Sequence, residues 1–192
     1  MAEMQLDEKA QRILSVAFEL AEEGGFDAVR LRDVAQRADV ALGTLYNRFA
    51  SKEEMLVTAL DESTKTFESV VGALDLTDGT PADRVAELLV LTARALFNRP
   101  NFGRAVMRAA AIGGAETTSR IYNHQATMNR LILARMRGPA GGEATARELQ
   151  SCRLLQQVSF ACLISWANGM RNEDEVVDDL KAAATRLIGE GS

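Results

Sequence analysis

Cysteine, histidine and proline are scarce in this 192-residue chain, which holds two cysteines (Cys152 and Cys162), one histidine (His124) and three prolines. There is no CxxC pair and no His-rich tract, so a structural zinc site is not expected, and neither a metal nor a cofactor enters the reading. The cysteines read as small buried apolar residues on a helix, in keeping with a reducing cytoplasm. One histidine, two separated cysteines and no nucleophile–base spacing also argue against an enzyme. Met1 to Leu6 lack the basic-then-apolar pattern of a secretory signal, and no run of 18 apolar residues occurs to span a membrane. Proline and glycine are too sparse for a low-complexity chain, and 26% charged residues with so little proline argue against disorder.

What the chain has in quantity is apolar residues, 47% of the total, enough for a packed core. Their spacing is helical almost throughout. Ile13, Leu14, Ala17, Phe18 and Ala21 mark one face of a first helix, which Gly24-Gly25 stops. A short helix from Leu31 to Ala38 buries Val34 and Ala35, and a second from Leu42 to Phe49 buries Leu45 and Phe49. Ser51 and Glu54 stand in capping-box register and open a long helix carrying Leu56, Ala59, Leu60 and Phe67 towards Leu74. After a loop at 75–80, Thr80-Pro81 starts a helix with Val85, Leu88 and Leu89, proline falling where its missing N–H costs nothing. Pro100 separates a shorter helix that Gly113-Gly114 ends, and the next runs through Ile121, Met128 and Ile132 to Gly138-Pro139. Two helices remain. One, at 143–168, is apolar nearly all round from Val158 to Ala167; the other, at 173–188, is capped by Asn172 with Glu175. The result is an all-α chain of about nine helices without a strand. Helix length divides it into a compact part, 1–50, and a longer, more apolar part, 51–192.

Two short helices joined by a tight turn can place the second in a DNA major groove. Here the turn is Ala38-Asp39-Val40-Ala41, with Asp39 where a left-handed residue is needed, a conformation Asp tolerates. Residues 28–52 hold five basic side chains (Arg30, Arg32, Arg37, Arg48, Lys52) against Asp33 and Asp39, a local excess of three within a chain of net charge −5. On the second helix Asn47 and Arg48 are the types that read base edges, Ala41 and Leu42 can meet thymine methyls, and Thr44, Tyr46 and Lys52 suit phosphate. Gly43 lets backbone come close to the duplex. From the residues alone, a solvated basic face on an ordinary small bundle explains the same pattern.

Residues 12–60 resemble the DNA-binding region of the TetR family of repressors. The resemblance rests on Gly25-Phe26-Asp27-Ala28, Leu31-Arg32-Asp33-Val34-Ala35, Ala38-Asp39-Val40, Gly43-Thr44-Leu45-Tyr46, Phe49 and Ser51-Lys52-Glu53-Glu54. It implies backbone contacts to DNA from Gly43, Thr44, Tyr46 and Lys52, with Arg32 nearby. The sequence departs from the pattern at Arg30 and Ala41, where the family carries Ser or Thr helix caps, and at Leu42; Arg30 instead suits a phosphate. More loosely, the stretch from Ala38 through Leu60 and the ending Leu187-Ile188-Gly189 resemble the actinobacterial regulators of steroid and lipid catabolism.

The resemblance further implies a C-terminal effector-binding and dimerisation domain, with helices 143–168 and 173–188 in a homodimer interface. Leu155, Leu163, Val177, Leu180, Ala184 and Leu187 are the candidates there; a monomer core accounts for the same apolar run. Candidate effector-lining residues are Leu89, Phe97, Phe102, Val106 and Met107, then Tyr122, His124, Met128, Phe160 and Trp166, with Arg120 and Asn123 as further polar groups. Any one of them equally suits plain core packing. The function implied is a ligand-responsive repressor that binds a palindromic operator as a homodimer and is released by a small hydrophobic, steroid- or acyl-like effector. An activator of the same fold, or a helical scaffold that binds only protein, remain as alternatives.

Overall fold

The computed structural model describes residues 7–73, 79–138 and 143–189. Among them are nine helices and no strand: α1 (Glu8–Gly24), α2 (Leu31–Arg37), α3 (Leu42–Tyr46), α4 (Lys52–Ala73), α5 (Pro81–Phe97), α6 (Pro100–Ile112), α7 (Ala115–Arg137), α8 (Ala146–Ala167) and α9 (Glu173–Ile188).

The helix ends follow from local chemistry. Asp7 caps α1 by accepting from the Ala10 N–H at 2.8 Å. The end of α2 is closed by Asp39, the one described non-glycine residue with positive φ, at 53°. Its N–H donates to the Gln36 carbonyl and the Val40 N–H to the Ala35 carbonyl, the pairing that ties off a helix through one left-handed residue. Thr80–Asp83, Thr145–Glu148 and Asn172–Glu175 form reciprocal capping boxes at the starts of α5, α8 and α9. The Thr145 box starts α8 three residues later than the expected 143. At the start of α4, Ser51 accepts from the Glu54 N–H, but the Glu54 carboxylate reaches the N–H of Ala50, not of Ser51. Pro100 does not merely separate helices; it is the first residue of α6. Gly138, at φ 60°, follows α7, whereas Pro139, Leu74 and most of the expected 75–80 loop lie outside the described residues.

Contacts divide the chain into two compact units, Met1–Ser63 with Arg99–Ile121, and Thr64–Asn98 with Tyr122–Ser192. In the first unit, Ile13, Leu14, Ala17 and Ala21 of α1 form a core with Val29, Val34, Leu45, Phe49, Met55 and Leu56. There α6 packs on α1, with Phe18 and Phe102 rings 4.4 Å apart. Glu22 of α1 accepts from the Phe102 N–H, satisfying a donor of the first turn of α6.

In the second unit α9 packs on α5 and α8, burying Val176, Leu180 and Ala184 together with Val85, Leu88, Leu89 and Leu155. Phe97 and Trp166 rings meet at 4.9 Å. Arg137 donates to both Glu148 oxygens, at 3.1 and 2.7 Å, holding Glu148 down to about 2 as it also accepts from Thr145.

Candidate nucleic-acid interface

The helix-turn-helix consists of α2, the turn through Asp39, and α3, with α2 packed on α3. Leu45 is the buried anchor of α3. The residues around it face outward to differing degrees: Ala41, Gly43, Tyr46 and Asn47 are exposed, Leu42 and Thr44 half-buried. Arg30 and Arg32, at the start of α2, are exposed as well. Arg30 and Ala41 occupy the N-cap positions of α2 and α3 without a side-chain cap, as the missing hydroxyls led us to expect.

The second helix is shorter than its expected run to Phe49. It stops at Tyr46, and the N–H groups of Arg48 and Phe49 both turn back to the Leu45 carbonyl. Asn47 and Arg48 therefore stand on the turn after α3, not on a helical reading face.

Gly43 adopts ordinary helical geometry, and a Cβ built on it meets nothing within 4 Å. The subunit makes no demand for glycine there. A side chain would occupy open space in front of α3, where a docked duplex would come closest.

Two expected DNA contacts have partners within the subunit. The Arg48 guanidinium donates to the Asp7 carboxylate, and its Nε is buried without a hydrogen-bond partner. Any base contact by Arg48 starts from that pair. Lys52 is half-buried: its ammonium lies 3.9 Å over the Phe26 ring, 3.3 Å from the Phe26 carbonyl and 4.0 Å from Asp27. Lys52 thus starts from a seat in the unit, at the N-terminal end of α4, where the helix dipole favours phosphate. Glu54, two residues on, is buried and paired with Arg120 at 3.7 Å within the first unit.

The effector candidates fall in both units. Phe102, Val106 and Met107 belong to the first unit, buried on α6. Leu89, Phe97, Met128 and Trp166 are buried in the second. Tyr122 and Phe160, also in the second, are exposed at 66% and 44%, so neither lines a closed cavity of one subunit. His124 lies 3.2 Å from the Thr64 hydroxyl through Nδ1, and burial pushes it down to about 4, so it is neutral at pH 7. The sequence reading missed a neighbouring polar pair, Gln156 donating to Asn129 at 2.6 Å.

The dimer candidates divide too. Leu155, Leu180 and Ala184 are buried within the chain, where α9 packs on α5 and α8. Leu163, Val177 and Leu187 are half-buried. The run from Val158 to Ala167, read as buried on several sides, has only Trp166 buried, and Leu149, Leu154 and Phe160 of the same helix are exposed. Cys152 is buried, its thiol pushed up to about 11; Cys162 is only half-buried. No helix among the described residues is long and apolar enough to cross a membrane.

Comparison with known proteins agrees with this geometry. Residues 13–59 match the bacterial regulatory proteins of the tetR family, and residues 79–187 the tetracyclin repressor-like C-terminal domain. The HTH-type transcriptional repressor KstR of Rhodococcus jostii (strain RHA1) is 32% identical over 186 residues, covering 96% of this chain and 85% of that protein. The crystal structure of a TetR transcriptional regulator from Rhodococcus sp. RHA1 has a TM-score of 0.85 at 26% identity, covering 96% of this chain and 97% of that one. Thermus thermophilus FadR, a TetR-family repressor in complex with lauroyl-CoA, shares the fold at a TM-score of 0.71 and 20% identity, covering 95% and 94%. The chain therefore belongs to the TetR family, as a DNA-binding transcriptional regulator and not an enzyme.

Proposed function

We propose that this chain is a ligand-responsive repressor that works in the cytoplasm as a homodimer on a palindromic operator and is released by a small hydrophobic effector. The observation that carries the DNA part is Gly43: the fold leaves open space in front of it, between the exposed Ala41 and Tyr46. Gly43, Thr44, Tyr46 and Lys52 contact the backbone, Arg30 and Arg32 add phosphate contacts, and Ala41, Leu42 and Asn47 meet the bases.

Two-fold symmetric repressors read half-sites one or more helical turns apart, and a homodimer supplies the second reading head. The exposed Leu149, Leu154 and Phe160 of α8, with the half-buried Leu163, support a second copy as the partner of that face. For the effector, Leu89, Phe97, Met128 and Trp166 supply an apolar lining, and His124 with Asn129 and Gln156 the polar groups. A steroid or acyl derivative, as a thioester, suits that chemistry, and the Thermus thermophilus fold neighbour holds an acyl-CoA. The effector acts by its unequal affinity for two conformations, of which one matches the operator spacing.

The test is selection of bound duplex from a random pool, followed by anisotropy titration of the selected site. Thr44→Ala with Lys52→Ala abolishes binding while the circular dichroism spectrum stays helical; equal binding by the double variant refutes the DNA reading. Acyl-CoA and steroid thioesters are then titrated against the complex, and a compound that binds tightly without changing operator affinity is not the effector.

A further inference from the structure

Two cations share one aromatic ring and one carboxylate beside the start of α4. The Lys52 ammonium lies 3.9 Å from the centroid of the Phe26 ring, and the Arg108 guanidinium carbon 4.3 Å from the same centroid. Arg108 also donates to the Asp27 carboxylate at 3.0 Å, while Lys52 stands 4.0 Å from its other oxygen, at the outer limit of an ion pair. The ring is buried and the turn that carries Asp27 is closed by the Ala28 N–H on the Gly25 carbonyl, while the Asp27 carboxylate itself is exposed. Two groups of like charge beside one carboxylate compete for it, and the shorter contact belongs to Arg108.

We propose that Arg108 of α6 is a positioning residue for DNA binding: by holding Asp27 it keeps that carboxylate off Lys52, whose ammonium stays available to a DNA phosphate. The inference rests on the reading of Lys52 as a phosphate contact. Without Arg108, Asp27 pairs with Lys52 and withdraws one positive charge from the phosphate-binding set. The long, flexible lysine stem can carry the ammonium from its seat on Phe26 out to a phosphate, further than the short Asp27 side chain reaches. A displacement of α6 acts on the same contact, because Arg108 on α6 donates to Asp27.

The experiment measures affinity of the full chain for its selected operator across a salt series. Arg108→Ala is expected to weaken binding about fivefold, the upper range for an exposed ion pair. It should also flatten the slope of log affinity against log salt by about 0.9, the loss of one phosphate contact on B-form DNA. Arg108→Lys retains wild-type binding, since an ammonium can also hold Asp27, and Arg108→Ala with Asp27→Asn restores it. In a Lys52→Ala background, Arg108→Ala should have no further effect. That arm separates positioning from a general loss of positive charge, which would weaken both backgrounds equally. Unchanged binding by Arg108→Ala, or an undiminished effect without Lys52, overturns the proposal. A wild-type chain that selects no duplex instead overturns the regulator reading beneath it.

Discussion

Arg48, on the turn after α3, donates to the carboxylate of Asp7, 41 positions earlier in the chain, and the other oxygen of that carboxylate caps α1 at Ala10. The pair ties the end of the recognition segment to the start of the first helix. It also makes Arg48 part of the scaffold. Arg48→Ala should therefore lower stability by about 1 kcal/mol, the modest value of a largely exposed pair, and leave the preferred operator sequence unchanged. Denaturant titration and repeated DNA selection check both; a shifted base preference at one position would place Arg48 in the groove after all.

Gly43→Ala separates folding from binding. A Cβ there meets nothing in the subunit, and alanine is the better helix former by about 0.5–1 kcal/mol, so the variant should be at least as stable as the parent. Its operator affinity should fall at least about tenfold, because a 1.4 kcal/mol clash with the duplex already costs that factor. Thermal unfolding and anisotropy on the same preparation are the measurements.

Phe160→Asp probes the apolar face of α8. The residue is 44% exposed in one subunit, so the substitution opens no cavity there and should leave the helical content unchanged. A charge in the centre of an apolar interface does break association. Sedimentation should show the wild type as a dimer and the variant as a monomer at micromolar concentration, with operator affinity reduced accordingly. A variant that remains dimeric would move the interface away from Phe160.

The Glu148–Arg137 pair should contribute to acid stability. Glu148 has its folded value held down to about 2 from an ordinary 4.5 by Arg137 and by the Thr145 cap. A depressed carboxylate contributes stability that is fully present above the unfolded value and is lost as pH falls through the folded one. The contribution of Glu148 should thus disappear between about pH 4.5 and 2, and Glu148→Gln should flatten the wild-type decline in that window. Trp166 fluorescence, from a buried ring on the same helix, follows the transition.

Much of the architecture was legible in advance because its signals are local. Proline after Thr80, Glu175 three residues past Asn172 and an aspartate at position 39 each act within one turn of backbone, and each does in space what its spacing predicted. The DNA segment was legible for the same reason, since Gly43, Thr44 and Tyr46 lie on one short helix. Asp7 and Arg108 were missed as partners of candidate residues. The signal available was thin: Phe26 and Asp27 stand in the family-like stretch, but nothing local says which distant cation sits beside them.

The sequence by itself determined the all-helical architecture, most of its caps, the left-handed turn at Asp39 and the family to which it belongs, because these depend on periodicity and on contacts between near neighbours. Only the tertiary structure decided that α6 packs on α1 in the same unit as the helix-turn-helix, that Leu155, Leu180 and Ala184 are buried while Phe160 is exposed, and that Arg48 and Lys52 begin from partners inside the chain. An apolar or basic residue carries the same letter whether it meets its own subunit, a second copy or a phosphate. Which one it meets follows from where the folded chain brings distant residues together.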